Sequence, residues 1–295
     1  MSAEPRTDVA GVAAGALAFS LWGLLPIYFK VADGVGSLEM LVHRIVWAVP
    51  VGLVIILARR QWPQVRQALR ERRTALLLVA SAAFIAVNWL GYIYAVQSGN
   101  IFQASLGYYI NPLMLVLVGF AVLGERLTPL QTGAVVLAAA GVLVLTVQGG
   151  AFPWISLMLA TSFTFYGLIR KQANVAAMPG LFVETLILFP PALVFLVLAI
   201  QAGTSPFGPA NPAMSGILLL AGPFTVIPLL LFAIAARRLR LATIGFLQFI
   251  APTGQFLVGL AYGEQLTTAH IICFSLIWGA VALFVFDAVR ATARR

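Results

Sequence analysis

Between Arg73 and Glu125 the chain runs for 51 residues without one Asp, Glu, Lys, Arg or His. A helix needs about 20 apolar residues to cross about 30 Å of hydrocarbon, so this run holds two crossings, joined at Gln97-Ser98-Gly99-Asn100. Only 9% of the 295 residues are charged, against about 25% in soluble domains, so a water-soluble enzyme is excluded.

The spacing of charges predicts the remaining spans. Residues 9–29 and 45–58 give the first two; 127–169, broken at Gln148-Gly149-Gly150, and 185–236, broken at Ser205-Pro206-Phe207-Gly208-Pro209, give two each. Residues 241–263 and 265–286 give one each, for ten spans in all. In lipid every backbone polar group needs an internal partner, and the alternating polarity of barrel strands is absent, so the predicted fold is an all-α integral membrane bundle of ten transmembrane helices.

Net charge is +9, yet the basic residues follow insertion rules rather than forming a nucleic-acid surface. With both termini cytoplasmic, 16 of the 18 Lys and Arg fall on the cytoplasmic side, six of them between residues 59 and 73, with Arg126, Arg170, Lys171 and Arg237 among the others. Lys30 and Arg44 are the exceptions.

The chain also matches itself. An offset of 140 residues places Arg44 and Pro50 on Glu184 and Pro190, and Tyr108-Tyr109-Ile110-Asn111-Pro112 on Gln248-Phe249-Ile250-Ala251-Pro252. Close offsets place Gly124-Glu125 on Gly263-Glu264 and Ser20-Leu21-Trp22-Gly23-Leu24 on Thr164-Phe165-Tyr166-Gly167-Leu168. A five-span repeat, being odd, inserts its copies in opposite senses. The expectation is therefore two inverted five-helix repeats, residues 1–148 and 149–295, with a solute site near the midplane.

The two Asn/Ala-Pro kinks, each followed by a Gly-Glu turn, resemble the EamA repeats of the drug/metabolite transporter superfamily. More narrowly, His43-Arg44, Asn88-Trp89, Ala104-Ser105-Leu106-Gly107-Tyr108, Phe165-Tyr166-Gly167-Leu168 with Arg170-Lys171, Glu184-Thr185 and Gln248-Phe249-Ile250 resemble the RarD branch. The resemblance covers nearly the whole chain. It implies a permease of the bacterial inner membrane, in a branch linked by name to chloramphenicol sensitivity, and it supplies no substrate. Gln103 stands where the branch usually carries a Glu.

Ionisable groups inside a membrane are costly and mark function by default, which singles out His43, Arg44 and Glu184. Arg44 and Glu184 are repeat mates in opposite leaflets, too far apart in depth for a direct ion pair, and are expected one at each end of a central cavity. Trp22, Asn88, Tyr92, Ser105, Tyr108, Asn111, Tyr166 and Gln248 are polar or aromatic residues suited to stacking and hydrogen bonding a small molecule there. Each, taken singly, is equally explained as an interfacial anchor or as interhelical glue. Pro50, Pro112, Pro190 and Pro252 remove backbone donors at matched positions and are the hinge candidates. Glu125 and Glu264 are expected to end spans, and His270 to be structural.

No hydrolase, P-loop or dinucleotide motif is present, and two His with one Cys give no metal site, so neither an enzyme nor a cofactor is expected. The expected partners are a small-molecule solute and the lipid bilayer, with no nucleic acid; a homodimer is compatible with the sequence. The competing expectation to a secondary-active permease is a non-transporting scaffold or a sensor that binds a lipid or drug.

Overall fold

The computed structural model describes residues 8–123, 127–150, 152–239 and 241–293, and within them all regular structure is helical. Thirteen helices follow one another: α1 (Val9–Val31), α2 (Ser37–Ala58), α3 (Trp62–Arg70), α4 (Arg72–Gln97), α5 (Ile101–Leu123), α6 (Pro129–Gly149), α7 (Trp154–Gln172), α8 (Ala177–Gln201), α9 (Pro212–Leu219), α10 (Ala221–Arg238), α11 (Leu241–Leu247), α12 (Ile250–Ala261) and α13 (Thr268–Ala293).

Among the described residues, nine segments are long and apolar enough to cross a membrane, counting α9–α10 as one and α11–α12 as another. The tenth long helix, α7, falls short in apolarity because it carries Ser156, Ser162, Thr164, Tyr166, Arg170 and Lys171, the first three of them buried. It is packed between α4 and α5, where Ser156 donates to the Gln103 carbonyl, Ser162 accepts from Asn88 and Thr164 donates to Asn111.

Helix α3 was not visible in the charge spacing, which shows only an arginine-rich connection. It is amphipathic, turning Val65 and Ala68 inward against α4 and α8 while Arg66 and Arg70 stay exposed. The predicted Gly-Glu turn at Glu125 lies outside the described residues.

Connections alternate between two ends of the bundle, so 32–36, 98–100, 202–211 and 262–267 share one end, and 59–61, 173–176 and the α10–α11 junction share the other. Packing partners also come in matched sets. Helix α1 packs on α10 and α12, whereas α7 packs on α4 and α5; α2 packs on α8, α5 on α12 and α6 on α13.

Small residues set the close approaches that van der Waals packing in lipid requires. On α6, Ala134, Ala138, Gly141 and Leu145 form one face against Ala269, Cys273, Ile277 and Ala280 of α13. A Cβ on Gly23 of α1 would lie 3.3 Å from Gly254 Cα of α12, and one on Gly222 of α10 would collide with the Trp47 carbonyl oxygen of α2.

Of the matched prolines, only Pro252 accompanies an interruption. α2 continues through Pro50, α5 through Pro112 and α8 through Pro190. Pro252 cannot donate to the Gln248 carbonyl, and the chain breaks into α11 and α12 at Gln248-Phe249.

Candidate functional site

Two clusters of buried polar side chains form around the two matched charges. Arg44 on α2 is 5% exposed. Its Nε donates to Thr225 Oγ1 on α10 at 2.9 Å, and its guanidinium carbon lies 4.3 Å from the centre of the Trp89 ring on α4 and 6.0 Å from that of Phe29 on α1. Thr225 in turn donates to the Ala221 carbonyl at 2.7 Å. Arg44 Nη1 and the Tyr92 hydroxyl have no hydrogen-bond partner among the described residues. A desolvated cation–π contact is worth about 2 kcal/mol, while an unpaired charge in this setting costs several, so Trp89 offsets the burial of Arg44 only in part.

Glu184 on α8 is fully buried and well partnered. It accepts from Ser81 Oγ on α4 at 2.5 Å and from the Tyr166 hydroxyl on α7 at 3.3 Å, and it pairs with Arg170 Nε at 3.4 Å. The connection 173–176 is only four residues long, so Arg170 near the end of α7 is within side-chain reach of Glu184 two turns into α8. Arg170, counted from sequence as a cytoplasmic-side charge, is the missed member of this cluster, and Ser81, Trp89 and Thr225 were missed likewise.

An aromatic ladder connects the clusters. Phe29–Tyr92, Tyr92–Tyr108, Tyr108–Phe163 and Phe163–Tyr166 have ring centroids 5.9, 5.7, 6.0 and 5.8 Å apart, and Tyr166 reaches Glu184. Asn88 fixes the middle: it accepts from the Tyr108 hydroxyl at 3.1 Å and donates to the Leu159 carbonyl and Ser162 Oγ, both at 3.0 Å. Arg44, Asn88, Tyr92, Tyr108, Tyr166 and Glu184 thus share one polar and aromatic seam across α2, α4, α5, α7 and α8.

The remaining candidates lie apart from it. His43 is buried toward the 32–36 end, where Nδ1 accepts from Trp47 Nε1 at 3.0 Å and Phe207 covers the ring at 5.1 Å. Trp22 packs with Phe19 and Phe232 at the α1–α10 interface. Ser105 donates to the Pro252 carbonyl at 2.8 Å and Asn111 accepts from Thr164 at 3.0 Å, both as links between helices. Gln248 lies in the α11–α12 break, half-buried.

The ends of the bundle differ. At the 32–36 end, Ser37 donates to Gln97 Oε1 at 2.5 Å, Gln97 donates to the Val35 carbonyl at 2.8 Å, Tyr28 donates to the Ile217 carbonyl at 2.9 Å and Ser205 donates to the Glu39 carboxylate. At this end too, the Glu264 carboxylate accepts from the backbone N–H groups of Ile101 and Phe102, capping α5 from another helix pair. Burial raises the Glu264 carboxyl above its ordinary range, against the opposing pull of those N–H groups and of Lys30. At the other end, α11 packs on α1, α10 and α13. Among the described residues, nothing lies within 4 Å of a Cβ placed on Gly167 of α7 or on Gly245 of α11.

The model of the EamA-like transporter family matches residues 9–147. An uncharacterized transporter of Pseudomonas aeruginosa is 44% identical over 288 residues, covering 96% of each chain, and the protein RarD of Salmonella typhi is 42% identical over 280 residues, covering 95% of each. The chain belongs to the EamA-like transporter family. Within that family it is of the RarD type and is a multi-pass membrane transporter with bacterial relatives. A protein of known crystal structure, 21% identical, aligns over 95% of this chain and 98% of its own with a TM-score of 0.60, which shows that the two share a fold. No groups of three or more His, Cys, Asp or Glu that could hold a metal occur among the described residues.

Proposed function

We propose that this transporter is a secondary-active permease of the bacterial inner membrane that moves a small organic solute by alternating access between two inverted five-helix repeats, residues 1–148 and 149–295. In this reading α7 crosses the bilayer as the tenth span, shielded from lipid on its polar side by α4 and α5. Both termini are cytoplasmic, so the 32–36 end faces outward.

The observation that carries the proposal is the matched packing combined with unequal ends. Inverted repeats exchange partners pairwise, as α1 with α10 and α12 mirrors α7 with α4 and α5. Mirror positions nonetheless differ among the described residues: a Cβ on Gly23 would meet Gly254, while one on its mate Gly167 would meet no described atom within 4 Å. That is the asymmetry expected of one state of a rocking bundle, closed outside and parted inside. In this reading the break before Pro252 is the joint at which α11 moves relative to α12, which packs on α5.

Proteoliposomes screened with labelled small organic solutes, chloramphenicol among them, test the proposal. The expected result is counterflow of at least one solute, reduced by Tyr108→Ala and by Glu184→Gln. Ligand-dependent thermal stabilisation without counterflow of any solute would instead favour a non-transporting binder.

A further inference from the structure

The two matched charges are treated differently by their surroundings. Glu184 has Arg170, Ser81 and Tyr166. Arg44 has one hydroxyl, from Thr225, and the ring faces of Trp89 and Phe29; none of the ion pairs among the described residues includes it. Its Nη1 is buried without an acceptor, and so is the hydroxyl of Tyr92, which is 3% exposed. An arginine fork is shaped for a carboxylate, which it can hold by two parallel hydrogen bonds, and it is the cation best suited to a buried ion pair. The rings around it suit a flat apolar body.

We propose that Arg44 binds the anionic group of the transported solute, and that this solute is a small organic acid whose carboxylate meets the guanidinium while its apolar body lies along the Tyr92 and Tyr108 rings. The inference rests on the permease reading for its biological sense. The site draws on α1, α2, α4, α5 and α10, hence on both halves, so a bound acid would tie its own release to their relative movement. The same unpartnered N–H could be met by an inorganic anion, and the experiment separates the two.

The purified full chain is heated in the presence of benzoate, of benzamide, which has the same shape without charge, or of sodium chloride at equal ionic strength. Benzoate alone is expected to raise the melting temperature, by about 3 °C or more at saturation. Arg44→Gln, which keeps a donor for Thr225, is expected to abolish that rise. Equal shifts with benzamide or chloride, no shift with benzoate, or a benzoate shift that survives Arg44→Gln would each overturn the assignment. Should Arg44→Gln fail to fold, the comparison of benzoate with benzamide on the unaltered chain still decides. Transport is read separately: a benzoate-specific shift without counterflow of any solute leaves the anion site standing and removes the permease reading. Counterflow that Arg44→Gln leaves undiminished keeps the permease and removes the anion site.

Discussion

Arg44 and Glu184 stand at the same place in their helices, each seven residues after the first residue of α2 (Ser37) and of α8 (Ala177). α2 and α8 pack on each other, yet the two side chains turn to different neighbours: Arg44 to Trp89 and Thr225, Glu184 to Ser81, Tyr166 and Arg170. One charge is neutralised in place and the other is not, and the first two predictions follow from that difference.

Arg170→Ala removes the counter-ion of a fully buried carboxylate and should cost about 3 kcal/mol in thermal or denaturant unfolding, the low end for a broken buried pair because Arg170 retains some exposure. Glu184→Gln in the Arg170→Ala background should recover part of the loss. Additive losses in this double-mutant cycle would show that the pair is not coupled.

Arg44→Met replaces an unpaired charge with an apolar side chain of similar length, and Thr225 keeps its bond to the Ala221 carbonyl. The apo protein should lose no stability and could gain on the order of 1 kcal/mol. A loss of several kcal/mol would mean that Arg44 is already fully compensated.

Glu264→Ala leaves the N–H groups of Ile101 and Phe102 without their acceptor and should destabilise the chain by about 1–3 kcal/mol. Glu264→Gln keeps an acceptor for one of the two N–H groups and turns its amide NH2 toward the other, so it should cost less than Glu264→Ala but not recover the full contribution. Equal losses would show that the one remaining bond contributes nothing.

Gly222→Ala forces a methyl against the Trp47 carbonyl and should cost more than about 2 kcal/mol through separation of α2 and α10. Gly167→Ala, with open space around it, should be neutral or stabilise α7 by about 0.5–1 kcal/mol. Melting temperatures of the two variants check both; a silent Gly222→Ala would contradict the close approach.

Most of the helical plan was legible in the sequence because lipid excludes charge, so the intervals between charges measure spans directly. Helix α3 was not, since its apolar face is only Val65 and Ala68 within an arginine-rich connection. The Pro252 kink was legible as a possibility shared by four prolines; that only one of them accompanies a break depends on tertiary packing. Arg44 and Glu184 stood out by their rarity in apolar runs. Their partners did not: Trp89, Ser81 and Thr225 are ordinary membrane-helix residues until packing brings them together, and Arg170 looks like any basic residue at a helix end. The short 173–176 connection was the one signal that could have linked Arg170 to α8.

Alternating access is tested most directly by spin-label distances across both ends of the same protein, in nanodiscs and a Cys273→Ser background. One pair of labels replaces Lys171 and Arg237 at the 173–176 end of α7 and α10; the other replaces Ser98 and Ala213 at the 98–100 end of α4 and α9. Two populations are predicted for each pair, with long distances at the first end accompanying short ones at the second, and a bound solute shifting the two pairs in opposite directions. A single distance at each end, unmoved by any solute, would contradict the account.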